Sequence, residues 1–204
     1  MKKVGILGGT FNPPHNGHLH AARQAQRALG LDHILLMPDN IPPHKVMPEG
    51  SANTQQRLEM VRLAARELPG AEVSELELER GGRSYTVDTL TELTGRNPDI
   101  SYYFIMGTDM LLSLDKWYHP EILCRLCTLA VVARDDEDRE AIAQAAQRYR
   151  RLWDARIAIV DCPALPMSST QLRTSRGACR EMVPESVWRY IQQQHLYGER
   201  EAEQ

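Results

Sequence analysis

The sequence predicts an α/β fold built on a doubly wound parallel sheet, with a small helical segment at the C-terminal end. Short apolar segments recur along the chain and alternate with longer segments of helical periodicity. The first two apolar segments and the helix between them fit within residues 3–37, as one strand–helix–strand unit. Several apolar segments end in glycine-containing loops, which is where ligands lie in such sheets.

The first strand is expected at residues 3–7, the first helix at 16–29 and the second strand at 33–37. Pro13-Pro14 precedes the helix and Gly30 follows it, which are common start and stop signals. A right-handed crossover then makes the two strands parallel.

A proline-rich loop leads to a second predicted helix at residues 54–68, where apolar residues recur on one face. Residues 73–78 alternate between apolar and polar side chains, as a half-buried strand does. The remaining predicted strands are at 101–106, 129–133 and 156–160, and the remaining predicted helices are at 86–94, from Gly107 onward, at 137–152, from Ser168 to about Gly177, and at 184–195. We expect a single domain over 1–204, of which about 165–198 forms the C-terminal helical part.

The composition excludes several classes of protein. The chain has 204 residues, of which 42% are hydrophobic and 25% are charged, so it is neither disordered nor a coiled-coil rod. Its formal net charge is −3, whereas a general nucleic-acid binder carries a net positive charge. The first apolar run ends at Asn12-Pro13-Pro14, too early for a signal core or a membrane span. We therefore expect a cytoplasmic protein without nucleic-acid or membrane partners; the sequence leaves homo-oligomer formation open.

The four cysteines do not form a disulfide framework at this length. Cys124 and Cys127 have C-x-x-C spacing, but no second pair of ligands follows them. A zinc or redox site is one interpretation, and buried cysteines of an apolar helix are the favoured one.

The densest motif is Gly8-Gly9-Thr10-Phe11-Asn12-Pro13-Pro14-His15-Asn16-Gly17-His18, between the first strand and the first helix. Backbone N–H groups and the helix dipole favour an anion there. The histidines are three residues apart, so a helical turn places them on one face, and Gly17 leaves room for a phosphate. This pattern favours nucleotidyl transfer. Surface histidines, or half of a metal site, are the alternatives.

A second candidate anion site is Ser168-Ser169-Thr170-Gln171-Leu172-Arg173, where hydroxyls, N–H groups and a guanidinium come together. Taken alone, it could be an ordinary helix cap with a solvated arginine. Between the two motifs, Ser84-Tyr85-Thr86 precedes a helix and offers donors to a carboxylate. Trp117-Tyr118 offers a flat face for a cationic heteroaromatic ring. Trp117 and Tyr85 could equally be core aromatic residues.

Six segments in order resemble the HxGH nucleotidyltransferase superfamily, which has a Rossmann-like fold, and most closely its bacterial nicotinate-nucleotide adenylyltransferases. The first is the Gly8–His18 motif, and the resemblance runs from residue 1 to about 198. The other segments are Pro42-Pro43-His44-Lys45, Arg57-Leu58-Glu59-Met60, Ser84-Tyr85-Thr86-Val87-Asp88-Thr89-Leu90, Phe104-Ile105-Met106-Gly107-Thr108-Asp109 with Trp117, and Ser168-Ser169-Thr170-Gln171-Leu172-Arg173.

The resemblance implies transfer of AMP from ATP to nicotinate mononucleotide, giving nicotinate adenine dinucleotide and pyrophosphate. It implies His15 and His18 at the α-phosphate as catalytic residues. The implied ATP and phosphate contacts are Gly8, Gly9, Thr10, Phe11, Gly17, Lys45, Gly107, Asp109, Ser168, Ser169, Thr170 and Arg173. The implied nicotinate pocket is formed by Ser84, Tyr85, Thr86, Trp117 and Tyr118.

Two implied contacts have ordinary alternatives: Lys45 could be a solvated loop residue, and Asp109 could cap the next helix. We expect Mg²⁺ to accompany ATP, held by phosphate oxygens and water rather than by a protein metal site. Asn12 replaces the aspartate of many family members and removes a charge. Another acceptor, such as nicotinamide mononucleotide or phosphopantetheine, or a non-catalytic nucleotide-binding module, remains the alternative function.

Overall fold

Six parallel strands form one sheet, flanked by helices on both faces. This computed structural model describes residues 1–43, 46–133, 137–163, 165, 167–174 and 180–198. The strands are β1 (Lys2–Gly9), β2 (His33–Pro38), β3 (Ala71–Val73), β4 (Ile100–Gly107), β5 (Thr128–Ala133) and β6 (Arg156–Asp161). The helices are α1 (Asn16–Leu29), α2 (Thr54–Ala65), α3 (Leu76–Arg80), α4 (Thr86–Arg96), α5 (Thr108–Leu112), α6 (Pro120–Leu126), α7 (Glu137–Trp153), α8 (Ser169–Thr174) and α9 (Glu185–Gln193).

The strand order is β3-β2-β1-β4-β5-β6, and every neighbouring pair is parallel. The chain order reverses between β1 and β4, which are adjacent in the sheet. In doubly wound sheets, ligands bind beyond the carboxyl ends of the strands at this reversal. The predicted fold class is confirmed, and the site is expected beyond Gly9 and Gly107.

Successive side chains of a strand point to opposite faces of the sheet, so each strand contributes to two apolar clusters. In β1, Val4 and Ile6 pack with the cluster that includes Leu90 of α4. Leu7 packs on the other face, with the cluster that includes Leu19 of α1. Burial on both faces accounts for the nearly continuous apolar runs of the strands.

The prediction of a strand over residues 73–78 is wrong. The chain leaves the sheet after Val73 and forms the helix α3, whose first two residues, Leu76 and Glu77, are both buried. The edge strand β3 pairs with only three residues of β2. Beyond it, alternating Leu and Glu residues are good helix formers, so the local preference for a helix prevails. Gly81, with a φ of 71°, follows this helix.

At the C-terminal end, α8 and α9 lie within the two predicted helical segments. The predicted end of the first of them, near Gly177, lies outside the described residues. Val187 and Ile191 of α9 are buried, in keeping with the predicted apolar side of this helix. No helix in the described part of the chain has the length and apolar character needed to cross a bilayer.

Cys124 and Cys127 are buried and free at the end of α6, in keeping with the favoured interpretation. Burial raises the pKa of Cys124 to about 11 and that of Cys127 to about 12. Both thiols are therefore protonated at neutral pH, which makes them poor nucleophiles and poor metal ligands.

Candidate active site

A cavity of about 860 Å³ opens beyond the carboxyl ends of β1 and β4. Its volume is near the upper end of the range for small-molecule sites, so it can hold two substrates. Most of the residues that the sequence predicts for the site border this cavity: Gly8, Gly9, Thr10, Phe11, His15, Gly17, His18, Ser84, Tyr85, Thr86, Gly107, Trp117, Tyr118, Ser168, Ser169, Thr170 and Arg173.

One of the predicted contacts among the described residues is not part of this wall. Asp109 is exposed in the first turn of α5, and it is not among the described residues that border the cavity. Lys45 lies outside the described residues.

The two histidines are held against each other at the start of α1. Their rings stack with centroids 3.7 Å apart. The main-chain N–H of His15 donates to Nδ1 of His18 at 3.1 Å. An Nδ1 that accepts a hydrogen bond carries no proton, so the neutral ring of His18 has its proton on Nε2. The predicted shared face is confirmed, and His18 presents a donor at Nε2.

Gly17 is needed for the position of His15. A Cβ atom at residue 17 would lie 2.9 Å from Nδ1 of His15 and 3.1 Å from Cγ of Met167. The main-chain N–H of Gly17 meets the sulfur of Met167 at 3.0 Å. From the sequence, Gly17 is expected only to leave room for a phosphate; in the structure, the missing side chain also leaves space for the His15 ring.

A buried arginine, Arg57, holds the loop that follows β1 in place. The Arg57 guanidinium donates to the main-chain oxygen of Thr10 at 2.8 Å and to the Asp39 carboxylate at 3.1 Å. A second Arg57 nitrogen donates to the main-chain oxygen of Asp39 at 2.8 Å, and the Thr10 hydroxyl donates to the Asp39 carboxylate at 2.7 Å. Arg57 is only 2% exposed. These contacts join the loops that follow β1 and β2. In the sequence, no local signal distinguishes Arg57 from an arginine that forms an ion pair at the surface.

The helix α8 docks on the same loop. Arg173 donates to the main-chain oxygen of Asn12 at 2.7 Å and to the Thr170 hydroxyl at 3.1 Å. The Ser169 hydroxyl donates to the main-chain oxygen of Pro13 at 2.9 Å. The two predicted anion motifs, more than 150 residues apart in sequence, therefore form one continuous surface.

Aromatic side chains form another part of the cavity wall. The rings of Tyr85 and Tyr118 lie 4.5 Å apart, and Tyr118 is 49% exposed. Trp117 meets the edge of Phe104 with centroids 6.0 Å apart. Trp117 is packed against the core, as one interpretation expects, and it also borders the cavity. Its contact with a heteroaromatic ring stays a prediction.

The start of α4 is attached to the loop after β2 through Ser84. The main-chain N–H of Asn40 donates to the Ser84 hydroxyl at 2.9 Å. Nearby, the buried Glu77 carboxylate accepts from the Thr89 hydroxyl at 2.6 Å. Burial raises the pKa of Glu77, although hydrogen bonds from Thr89 and Ser84 oppose the shift. Glu77 is not predicted from the sequence, because it falls within the segment expected to be a half-buried strand.

Comparison with known proteins places these features in a class. The family model described as cytidylyltransferase-like matches residues 6–175. Among solved structures, the Plasmodium falciparum nicotinic acid mononucleotide adenylyltransferase complexed with NaAD has a TM-score of 0.77 at 17% identity and covers 97% of this chain and 98% of its own. At that identity the likeness concerns the fold.

Curated relatives narrow the class further. A probable nicotinate-nucleotide adenylyltransferase of Synechococcus sp. strain JA-3-3Ab is 43% identical over 200 residues, covering 97% of this chain and 95% of the relative. The relative from Lactococcus lactis is 42% identical over 202 residues, and the match covers 98% of this chain and 97% of the relative. The relative from Listeria innocua is 38% identical over 198 residues, and the match covers 97% of this chain and 98% of the relative. The chain therefore belongs to the nicotinate-nucleotide adenylyltransferase family, which confirms the resemblance carried by the six segments.

Replacing Arg57 with methionine is expected to destabilise the protein by about 3–5 kcal/mol, because the Asp39 carboxylate would stay buried without its partner. Urea unfolding followed by circular dichroism measures this. The matched control is Arg62→Met on the same helix, where the arginine pairs with Glu75 and is substantially exposed; a minor change is expected. Equal losses for both variants would contradict the assigned role of Arg57.

Replacing Glu77 with glutamine is expected to change how stability depends on pH. The pKa of Glu77 is raised in the folded state, so its contribution to stability is fully present below the pKa of the unfolded state and is lost as pH rises through the folded pKa. Glutamine stays neutral and avoids that loss. The free energy of unfolding of Glu77→Gln, relative to wild type, should therefore rise from pH 4 to pH 7. A difference that stays constant over this range would refute the assignment.

Proposed function

We propose that this enzyme transfers the adenylyl group of ATP to the phosphate of nicotinate mononucleotide. An oxygen of the acceptor phosphate bonds to the α-phosphorus of ATP, and the bond from that phosphorus to the oxygen bridging to the β-phosphate breaks. Pyrophosphate leaves with the electron pair, and nicotinate adenine dinucleotide is formed. The observation that carries the proposal is that one cavity is bordered by the histidine pair, by Arg173 and by the aromatic wall, in a chain of this family.

In this proposal His15 and His18 act on the α-phosphate. Nε2–H of His18 donates to a phosphate oxygen and stabilises the charge that builds up during transfer. The first turn of α1 adds its dipole. The stacked His15 ring keeps the His18 ring in place, so little reorganisation is needed when ATP binds.

The β- and γ-phosphates are assigned to the surface formed by α8 and the β1–α1 loop. Arg173 supplies a permanent positive charge, and the Thr170 hydroxyl, which accepts from Arg173, has its own proton for a phosphate oxygen. The Ser168 and Ser169 hydroxyls donate to Gln171 and Pro13, so these two residues are assigned main-chain N–H contacts with the phosphates. Gly8, Gly9, Thr10 and Phe11 contribute main-chain groups and space rather than side chains. The Phe11 side chain is buried in the core, and the Thr10 hydroxyl is bonded to Asp39. Lys45 keeps its proposed role at the phosphates. Asp109 does not border the cavity, but Gly107 and Met110 do, so its proposed contact with the ribose would be made from the rim.

The nicotinate group is assigned to the start of α4 and the aromatic wall. The N–H groups of a helix's first turn lack acceptors within the helix, and at Thr86 they suit a carboxylate. Tyr85, Trp117 and Tyr118 offer faces to the cationic pyridinium ring. Donors on the carboxylate side favour the acid over the amide, whose NH₂ group would face other donors.

Mg²⁺ is proposed to arrive with ATP, where it neutralises phosphate charge. The described residues contain no group of three or more His, Cys, Asp or Glu side chains placed to hold a metal ion. Phosphate oxygens and water would therefore supply most of its ligands, and we assign no step to a protein-bound ion. Both substrates carry phosphate charges that do not cross a bilayer readily, so we propose that the reaction takes place in the cytoplasm.

The first test is pyrophosphate release with ATP and Mg²⁺, comparing nicotinate mononucleotide, nicotinamide mononucleotide and phosphopantetheine as acceptors. We expect nicotinate mononucleotide to give a kcat/KM at least tenfold above the others, with the dinucleotide detected by mass spectrometry. A preference for another acceptor would keep adenylyl transfer and overturn the assigned pocket. ATP binding without turnover on any acceptor would favour a nucleotide-binding module.

The second test is His18→Ala, which removes the Nε2 donor. We expect kcat to fall at least 100-fold with the thermal midpoint nearly unchanged, because one donor to the transition state contributes about that much. The control is His33→Ala, at the start of β2, which should retain wild-type turnover. A His18→Ala enzyme with near wild-type kcat would remove His18 from the mechanism.

A further inference from the structure

The side chain of Asn12 joins three separate segments of the chain. It is only 3% exposed. Its Nδ2 group donates to the Ser51 hydroxyl at 2.8 Å. Its Oδ1 atom accepts from the main-chain N–H of Ala52 at 3.3 Å and from the Tyr197 hydroxyl at 2.7 Å. The amide thus connects the loop after β1 to the segment before α2 and to the segment after α9.

The neighbours of Asn12 determine which atoms of the amide can bond to which. The Ser51 hydroxyl donates its one proton to the main-chain oxygen of Pro48 at 2.6 Å. Its oxygen is therefore left to accept, and residue 12 must donate. The Oδ1 atom on the opposite side of the amide faces two donors, the main-chain N–H of Ala52 and the Tyr197 hydroxyl. The arrangement fits asparagine, because its amide donates on one side and accepts on the other, which a carboxylate cannot do.

Tyr197 acts close to the phosphate surface although it is near the C-terminal end. Its backbone is left-handed, with a φ of 59°, and its hydroxyl reaches the Asn12 side chain in the β1–α1 loop. Burial raises the pKa of Tyr197 more than nearby Arg173 and Arg57 lower it, so the hydroxyl remains protonated and donates. Tyr197 bonds to the side chain of Asn12. The main-chain oxygen of the same Asn12 accepts a hydrogen bond from Arg173 at 2.7 Å.

We propose that Tyr197 is a positioning residue for ATP: through Asn12, it fixes the main-chain oxygen that orients the Arg173 guanidinium toward the triphosphate. This inference rests on the proposed function, which places the triphosphate at Arg173. Tyr197 does not touch the substrate. Its hydroxyl keeps the oxygen of Asn12 in one position, so that the remaining donors of Arg173 stay directed at the cavity.

The test uses Tyr197→Phe, which removes only the hydroxyl. Isothermal titration calorimetry with ATP and Mg²⁺ should show a Kd raised about five- to tenfold, the effect of one lost hydrogen bond. The KM for ATP should rise by a similar factor, while the KM for nicotinate mononucleotide stays within twofold. Tyr190→Phe is the matched control, since Tyr190 on α9 packs against the same apolar cluster and is not one of the Asn12 partners described above; wild-type values are expected.

A double-mutant cycle tests whether the effect passes through Arg173. Arg173→Ala alone should weaken ATP binding, and adding Tyr197→Phe should then cause no further loss. Additive losses, or an unchanged Kd in Tyr197→Phe, would overturn the inference. So would a loss of active enzyme with both KM values unchanged, which indicates a purely structural role.

The calorimetric measurement also separates this inference from the proposed function. If no acceptor releases pyrophosphate but Tyr197→Phe still weakens ATP binding through Arg173, the proposed reaction fails and the positioning role stands. If nicotinate mononucleotide is adenylated and Tyr197→Phe binds ATP normally, the reaction stands and the positioning role fails.

Discussion

The buried contact of Arg57 with Asp39 and the main-chain oxygen of Thr10 is the constraint on which the site depends. A buried ion pair is costly unless its remaining hydrogen-bond groups are satisfied, and here they bond to main-chain oxygens of two adjacent loops. The loops after β1 and β2 therefore cannot move independently. The histidines follow directly from the first of these loops, so their position is set by an arginine that borders neither the cavity nor the solvent.

The second constraint is the docking of α8 on this fixed loop. The main-chain oxygens of Asn12 and Pro13 accept from Arg173 and Ser169, so the arginine takes its position from the backbone that also leads to His15. The groups that we propose to bind phosphate lie far apart in the sequence and are thus positioned by the same backbone segment. Transfer at the α-phosphate requires the reacting atoms to be aligned closely, and a shared rigid support provides that alignment.

The sequence could predict whatever depends on local pattern. The strands, the βαβ unit and the histidine pair rest on periodicity, glycine and proline signals, and short spacing. It failed at residues 73–78, where alternation of Leu and Glu has the period of a strand but the composition of a helix. It could not predict that Arg57 is buried or that Tyr197 meets Asn12, because those contacts join residues 18 and 185 positions apart and depend on the completed fold. Side chains whose partners are distant in sequence carry no periodic signal.

The chain as a whole repels anions, with a net charge of −3, so attraction of ATP depends on the local field within the cavity. Among the described residues that border it, the acidic ones are Asp39 and Glu77. Asp39 is paired with Arg57, and burial raises the pKa of Glu77. An aspartate at residue 12 would add a negative charge beside Arg173 and weaken that arginine's field. The neutral amide of Asn12 avoids this charge and donates to the Ser51 hydroxyl, which a carboxylate cannot do. The charge of Arg173 therefore stays available to the triphosphate that we propose to bind there.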